Sequence, residues 1–289
     1  MSPLDLTSKI ALVTDGGTGI GLTIAKELSK NGAKVYITGR RLEVLQKTAG
    51  EDPGLIPLQM DITDKQSIAN AVKCIDETEG KLDILVNKRV SAGVTGPSFP
   101  VIIDRSATTA NATSLGDALF MQDSFDQWAD VFKTNTFAPY FVMMGFLSLL
   151  ERGARARNRE TSSVVNISSG AGTGKLLSAC SAYPISKAGI NHLTSVWATE
   201  FAIHKIPVRV SCIAAGIFPS ELTGTAEEVA AALAIKPLPG LLSPAPLMRA
   251  GKQIEIGTMA VFLSSLAGES TNGAIIPVDG GHLVWSILE

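Results

Sequence analysis

Short apolar runs alternate with amphipathic helical patterns along most of the chain, and this alternation limits the possible folds more than any other feature. The first run, residues 9–14 (KIALVT), is followed by a glycine-rich turn and a predicted helix over 20–31. Further strands are predicted over 34–38, 55–60, 82–87, 163–168, 207–213 and 274–278, and further helices over 42–48, 65–78, 124–151, 183–204 and 254–266. Strands that alternate with helices form a parallel sheet with helices on both faces. We therefore predict a doubly wound α/β fold of the Rossmann type, with residues 1–289 in a single domain.

Two segments lack this regularity. Residues 91–123 contain Pro97 and Pro100 and show no sustained period, so we predict a long irregular loop there. Residues 219–251 are rich in Pro, Leu and Ala and form a second irregular segment. Loops of this length inside a compact domain are often functional, which makes both segments candidates for contact with a ligand.

The charge balance excludes several classes of partner. The chain has 25 Lys and Arg against 27 Asp and Glu, a net charge of −2, so no positive field would attract nucleic acid or an anionic membrane. The longest apolar run, 137–150, is shorter than the ~20 residues that cross a bilayer. The cysteines Cys74, Cys180 and Cys212 are far apart, which is typical of a reducing compartment, and we predict a cytoplasmic protein.

The glycine-rich turn is a candidate dinucleotide site. Its sequence over 14–21 is TDGGTGIG, between the first predicted strand and the first helix. Glycines there let the backbone approach a diphosphate, whose charge is stabilised by the N–H groups at the helix N-terminus. The predicted cofactor-binding residues of the turn are Gly16, Thr18, Gly19, Ile20 and Gly21. The alternative, a purely structural turn, is disfavoured by the strand–turn–helix context.

The end of the second predicted strand favours NADP(H). NAD-binding proteins usually place an acid there for the ribose 2′-OH, whereas residues 38–41 read TGRR. A guanidinium pairs well with a 2′-phosphate, so we predict that Arg40 binds it; the alternative is that both arginines are solvated. Asp61 follows the third strand and is a candidate to bind the adenine amine. It could instead cap the next helix, although Thr63 or Asp64 can do so.

Tyr183 and Lys187 are the candidate chemical centre. They are four residues apart, which places both side chains on one face of a helix. A tyrosine with a pKa near ~10 is a poor base at neutral pH. A fixed cation beside it would lower its pKa towards the working range, and this is the direction that we predict.

Two further polar residues complete the constellation. Ser169 ends a predicted strand, at the edge where open α/β sheets bind ligands, and its hydroxyl could hold a substrate oxygen. Asn135, in the long predicted helix, could fix a water or a backbone bend that links Lys187 to solvent. An ordinary helix-embedded amide is the alternative for Asn135.

The order of glycine turn, Asn135, Ser169 and Tyr183-x-x-x-Lys187 resembles the short-chain dehydrogenase/reductase family, and the likeness extends to Pro277-Val278-Asp279-Gly280-Gly281. The stretch over 125–141 is similar to fungal members that reduce ketones in secondary metabolism. The resemblance implies a seven-stranded sheet, homodimers or homotetramers, and direct hydride transfer without a metal. It implies that Asn135, Ser169, Tyr183 and Lys187 are catalytic: Ser169 polarises a carbonyl, Tyr183 is the acid/base, and Lys187 also binds the nicotinamide ribose. It adds Asn87, Tyr183, Lys187, Ile217 and Ser220 to the cofactor-binding residues.

Three departures from the family pattern fall on the cofactor side. Asp15 replaces the first glycine of the turn, and it brings negative charge towards the cofactor phosphates. The family's Asn-Asn-Ala-Gly segment reads NKRVSAG over 87–93, and Ala215-Gly216 stands where Pro-Gly is usual. Lys88 and Arg89 could compensate the charge of Asp15.

Three functions remain open at this stage. The first is an NADP(H)-dependent oxidoreductase that interconverts a ketone and a secondary alcohol. The second is a non-redox isomerase, cyclase or dehydratase on the same scaffold, with weakened or lost cofactor use, and the third is a non-catalytic sensing or scaffold protein, which the complete tetrad disfavours.

The segment over 219–251 would cover the substrate in this family. Its apolar residues, Leu222, Leu233, Ile235, Leu238, Leu241, Leu242, Leu247 and Met248, predict a hydrophobic carbonyl or alcohol substrate. The alternative is a segment that packs on its own domain or on a partner subunit. Four aromatic residues could pack either in the core or against a partner subunit: Phe137, Phe141, Phe146 and Trp197.

Overall fold

The strand residues are apolar over nearly their full length, because both faces of a parallel sheet are covered by helices. In a computed structural model that describes residues 2–88, 111–157, 160–175, 181–220, 223–225, 227, 229, 246–247 and 249–281, they form one seven-stranded parallel sheet. Its order is β3-β2-β1-β4-β5-β6-β7, as in a doubly wound fold. The strands are β1 (Ile10–Thr14), β2 (Lys34–Gly39), β3 (Leu55–Gln59), β4 (Ile84–Asn87), β5 (Ser162–Ser169), β6 (Val208–Ala215) and β7 (Ile275–Val278).

Helices cover both faces of the sheet. The described helices are α1 (Gly19–Lys30), α2 (Leu42–Glu51), α3 (Lys65–Glu79), α4 (Ala112–Gln122), α5 (Phe125–Phe132), α6 (Ala138–Arg155), α7 (Ala182–Ile203) and α8 (Gln253–Ser264). One core contains apolar side chains of α1, α2 and α8, and the other contains those of α3, α6 and α7. The predicted architecture of a single doubly wound domain is confirmed. No helix among the described residues is long and apolar enough to cross a bilayer.

The predicted continuous helix over 124–151 is wrong in one respect. The structure has α5, then a π-helical turn at Lys133–Phe137, then α6. A π turn inserts an extra residue into the helical ladder, and such turns are frequent at functional sites. Asn135 lies in this turn. The helix therefore changes from α to π hydrogen bonding at the position of a predicted catalytic residue.

The predicted irregular segment over 91–123 is also partly wrong, because its last part is α4. Asn111 accepts the N–H of Ser114 at 3.0 Å, and Ser114 returns a bond to the N-cap backbone, which forms a capping box. Polar caps therefore start a helix where the hydrophobic period is weak. Residues 89–110, and most of the segment predicted as a lid, lie outside the described residues.

Charged side chains are buried at the amino-terminal edge of the sheet. Arg209 on β6 is ion-paired with Glu269 at 2.9 Å and also donates to three backbone carbonyls. Asp83, just before β4, accepts the N–H of Ile10 at 2.8 Å and is ion-paired with Lys81 at 3.0 Å. Ion pairs and hydrogen bonds thus satisfy most polar atoms of these buried charges, although Nε of Arg209 has no hydrogen-bond partner among the described residues.

Candidate active site

Tyr183 and Lys187 lie on the same side of α7, as their spacing predicts. The ammonium of Lys187 is 5.9 Å from the centre of the Tyr183 ring and donates to the carbonyl of Ile167 at 3.2 Å. Lys187 is 1% exposed, and burial lowers its pKa to about 8. The structure therefore buries a cation directly behind the phenol.

The turn after β5 carries Ser169 to the same place. Its hydroxyl accepts the N–H of Ala171 at 3.2 Å and is hydrogen-bonded with the Tyr183 side chain. The turn approaches α7 so closely that a Cβ on Gly172 would lie 2.7 Å from the carbonyl carbon of Lys187. Glycine at this position therefore permits the contact between turn and helix.

The expected lowering of the Tyr183 pKa is wrong for this structure. Burial raises the pKa of Tyr183, and the hydrogen bond with Ser169 only partly opposes it. Tyr183 packs against a small apolar cluster of Val131 and Ala182, and this apolar surrounding disfavours the phenolate. The spacing of Tyr183 and Lys187 could not indicate this surrounding, because Val131 comes from another helix.

Asn135 is connected to the catalytic helix from the π turn. Its amide donates to the hydroxyl of Ser186 at 3.0 Å, and that hydroxyl donates to the carbonyl of Tyr183 at 2.7 Å. Thr136 donates to the carbonyl of Ser186 at 3.0 Å. Asn135 thus lies in the π-helical turn and contacts the first turn of α7. Its predicted role in linking Lys187 to solvent stays a prediction.

The glycine turn has the backbone that a diphosphate site needs. Gly19 has φ of +53°, and a Cβ on Gly21 would overlap the carbonyl of Asp15. The N-cap residue, Thr18, makes no side-chain cap with described residues, so the first N–H groups of α1 face the turn uncapped. Ser220 also reaches this turn, since its Cβ is 3.6 Å from the position of a Cβ on Gly19.

A cleft of about 310 Å³ opens beside the turn, at the ends of the first three strands; we call it the β1–β3 cleft. It is lined by Asp15, Gly39, Arg40, Met60, Asp61, Ile62, Thr63, Asp130, Lys133 and Thr134. Asp64 caps α3, which leaves Asp61 out of that role; Asp61 accepts the backbone N–H and the hydroxyl of Thr63. The sequence did not identify Lys133 as a site residue. It lies in the π turn, about 90 positions after the end of β2, and no motif connects the two segments.

Asn87 supplies an unsatisfied polar atom at the same edge. Its amide nitrogen donates to Asn166 at 3.0 Å, whereas its buried amide oxygen has no hydrogen-bond partner among the described residues. A buried acceptor in this state is destabilising by about 1–3 kcal/mol unless a ligand or water satisfies it. Together with the turn and the cleft, it fits a dinucleotide carrying hydroxyl groups and phosphates.

Ile217 does not lie at the glycine turn with Ser220. It lines a second, more apolar cleft of about 390 Å³, the β6–β7 cleft, with Phe218, Leu247, Arg249, Gly251, Glu255, Met259, Pro277, Val278, Asp279, Gly280 and Gly281. Of the apolar residues expected in the lid, Leu247 lies here and is half exposed. The other seven lie outside the described residues.

Comparison with known proteins identifies relatives over the whole length. The family model described as short chain dehydrogenase matches residues 9–230. The short-chain dehydrogenase/reductase VdtF of Byssochlamys spectabilis is 35% identical, over 98% of this chain and 95% of its own. The rhamnolipids biosynthesis 3-oxoacyl-[acyl-carrier-protein] reductase of Pseudomonas aeruginosa is 31% identical, over 96% and 98%. The structure described as the Pseudomonas aeruginosa RhlG/NADP active-site complex aligns with a TM-score of 0.80 at 27% identity, over 98% of this chain and 100% of that one.

Proposed function

The chain belongs to the short-chain dehydrogenase/reductase family of oxidoreductases, which use nicotinamide cofactors, and from this premise we propose that it is an NADP(H)-dependent enzyme. In this proposal it interconverts a ketone and a secondary alcohol on a hydrophobic small molecule. The observation that carries the proposal is the convergence of Ser169, Tyr183 and Lys187 at the edge of the sheet that also holds the glycine turn.

Each member of the catalytic set has a task that its surroundings support. Ser169 donates a hydrogen bond to the substrate oxygen, and Tyr183 gives that oxygen a proton as the carbonyl becomes an alcohol. A raised pKa keeps the phenol protonated at neutral pH, which suits a proton donor. Lys187 places positive charge behind the ring, and Asn135 positions α7 through Ser186. The nicotinamide would supply the hydride to the carbonyl carbon.

The preference for NADP(H) rests on the β1–β3 cleft. Arg40 and Lys133 both line it, from the end of β2 and from the π turn, so two cations are available to bind a 2′-phosphate there, beside the carboxylates of Asp15, Asp61 and Asp130. Asp61 would accept a hydrogen bond from the adenine amine. The related structure described as an NADP active-site complex supports the same choice.

A hydrophobic substrate is supported by the composition of residues 219–251 and by the apolar β6–β7 cleft. A relative whose name specifies a 3-oxoacyl reductase is consistent with reduction of a ketone. The likeness of the 125–141 stretch to fungal ketone reductases extends the proposal to secondary metabolism.

We further propose a homodimer or homotetramer in the cytoplasm. Phe137, Tyr140 and Phe141 are exposed along the π turn and α6, and such an apolar surface suits a second subunit. Phe146 and Trp197, in contrast, are core residues. The thiols of Cys74 and Cys212 are free, as expected in a reducing compartment.

Transfer of deuterium tests the proposed reaction directly. The protein is incubated with NADPH that carries deuterium at both hydrogens on C4 of the nicotinamide, together with a panel of aliphatic and aromatic ketones. We expect the product alcohol to carry deuterium on its carbinol carbon, in an amount equal to the NADP⁺ formed. Turnover of a substrate without nicotinamide, and with no deuterium in the product, would instead establish the non-redox alternative.

A further inference from the structure

Asp15 and Lys88 face each other across the point at which the sheet reverses its strand order. The chain crosses from β3 back past β1 to β4, so the crevice between β1 and β4 is the topological switch point at which such sheets bind ligands. Asp15 directly follows β1, and Lys88 directly follows β4. The two residues therefore occupy the walls of the crevice on which a dinucleotide would lie.

The local structure holds both residues in place. The N–H of Lys88 donates to the hydroxyl of Thr14 at 2.9 Å, and the same hydroxyl lies 3.0 Å from the carbonyl of Lys88. Asp15 has φ of +52°, a left-handed conformation that Asp adopts more readily than most residues. The ammonium of Lys88 lies 2.8 Å from a carboxylate oxygen of Asp15, with side-chain exposures of 12% and 26%.

This pair changes the electrostatics of the glycine turn. The N-terminus of α1 attracts anions, but an uncompensated carboxylate on Asp15 would repel the diphosphate that the turn is shaped to receive. Lys88 neutralises that carboxylate within a partly buried crevice, where solvent screens charge weakly. Lys88 is also electrostatically coupled to the chemical centre: burial is the main cause of the lowered pKa of Lys187, and the charge of Lys88 adds to it while Cys212 opposes it.

We propose that Asp15 and Lys88 act as a charge-matched pair that determines the affinity for the cofactor diphosphate. This inference rests on the proposed function, because it concerns the same dinucleotide site. Lys88 is the favourable member, and it neutralises the unfavourable charge of Asp15. The two residues therefore have opposite effects on cofactor binding, although each contributes to the same ion pair.

A double-mutant cycle on the full-length protein tests the pair, with NADPH affinity measured by fluorescence titration. We expect Lys88→Gln to raise the Kd for NADPH at least tenfold, because Lys88 no longer neutralises the Asp15 carboxylate, which then repels the phosphates. Asp15→Asn is expected to leave the Kd unchanged or to lower it. The double variant should return to within about threefold of the Asp15→Asn value, since the repulsion has been removed.

Two controls separate this role from simple structural support. Lys34→Gln breaks a similar lysine–carboxylate pair, with Glu79 at 2.5 Å at the start of β2, and should leave the Kd unchanged. Adenosine 2′-monophosphate lacks the diphosphate, so its affinity should change less than threefold in Lys88→Gln. Thermal unfolding without ligand shows whether each variant is folded, and Asp15→Gly replaces Asp15→Asn if the latter is not.

The outcomes are distinguishable. If both single variants weaken NADPH binding equally and the double variant does not regain affinity, the pair is only a structural contact between the ends of β1 and β4. That result overturns the inference. An equal loss of affinity for adenosine 2′-monophosphate would also overturn it. If the unaltered protein does not bind NADPH, the proposed function itself is wrong.

Discussion

At the amino-terminal edge of the sheet, Arg209 is enclosed by Glu269 and backbone carbonyls, while at the carboxyl-terminal edge the buried Lys187 lies against a phenol and the carbonyl of Ile167. Burial lowers the pKa of the first cation and Glu269 opposes this shift, but a guanidinium keeps its charge at neutral pH. The second has its pKa lowered to about 8, mainly by burial. The charge at the amino-terminal edge is therefore permanent, whereas the charge at the other edge is close to deprotonation.

The two edges of the sheet therefore contribute to different properties, the amino-terminal edge to stability and the carboxyl-terminal edge to the proposed function. The buried charges at the starts of the strands are mostly paired with other charges and with backbone groups, whereas the carboxyl-terminal edge presents an unsatisfied amide oxygen on Asn87, uncapped helix N–H groups and a protonated phenol. Groups of the second kind are destabilising without a ligand and gain hydrogen bonds with one. Substitutions at the two edges should therefore differ in which property they change.

The largest expected effect is on the rate at the carboxyl-terminal edge. Tyr183→Phe removes the proton donor, and we expect kcat for ketone reduction to fall by about 10⁴-fold, at the upper end of what acid–base catalysis contributes. The Kd for NADPH and the melting temperature should change little. Tyr36→Phe, which loses a hydroxyl bonded to Glu79 at 2.5 Å, is the matched control and should leave kcat within about twofold. Equal losses in the two variants would contradict the assignment of Tyr183.

At the amino-terminal edge the expected loss is one of stability. Arg209→Met leaves Glu269 without its buried partner, and we expect the free energy of unfolding in urea to fall by about 3 kcal/mol. The Kd for NADPH should stay within about twofold. Arg152→Met breaks an exposed pair with Asp76 and should lower stability by less than about 1 kcal/mol. A similar loss in both variants would remove the distinction between buried and exposed pairs.

The pH dependence of stability sharpens the contrast between the two buried cations. Unfolded Lys187 keeps its proton up to a pKa of 10.5, whereas the folded protein releases it at about 8. Between these values the unfolded state binds more protons, so stability should rise with pH, by on the order of 3 kcal/mol. Urea unfolding at several pH values, with Lys187→Met as the reference, should show wild-type stability rising relative to the variant above pH 8. A difference that stays constant with pH would refute the burial of a charged Lys187.

The smallest of these effects concerns cofactor choice. Arg40→Ala should raise the Kd for NADPH about tenfold and leave that for NADH almost unchanged, because only NADPH carries the 2′-phosphate. Arg41→Ala is the matched control, since Arg41 is adjacent but does not line the β1–β3 cleft. If the two variants change the NADPH/NADH ratio equally, a diffuse positive field rather than a specific contact selects the cofactor.

The sheet, the glycine turn and the shared helix face of Tyr183 and Lys187 could be predicted from the sequence alone, because each depends on residues close together in the chain. Alternating strands and helices predict the doubly wound fold, and a four-residue spacing predicts one helix face, whatever the rest of the protein does. The π turn at Asn135 and the capped helix α4 were missed, because hydrophobic period alone does not report an extra residue in a helix or a polar cap.

The charge states of these groups depend on contacts between distant parts of the chain. Burial against a cluster that includes Val131 of α5 reverses the expected direction of the Tyr183 pKa, and Lys88 neutralises Asp15 although 73 positions separate them. Desolvation and Coulomb interactions depend on distance in space and on exclusion of water, neither of which is encoded in local spacing. For this reason the residue types of the site could be read from the chain, whereas their ionisation required the fold.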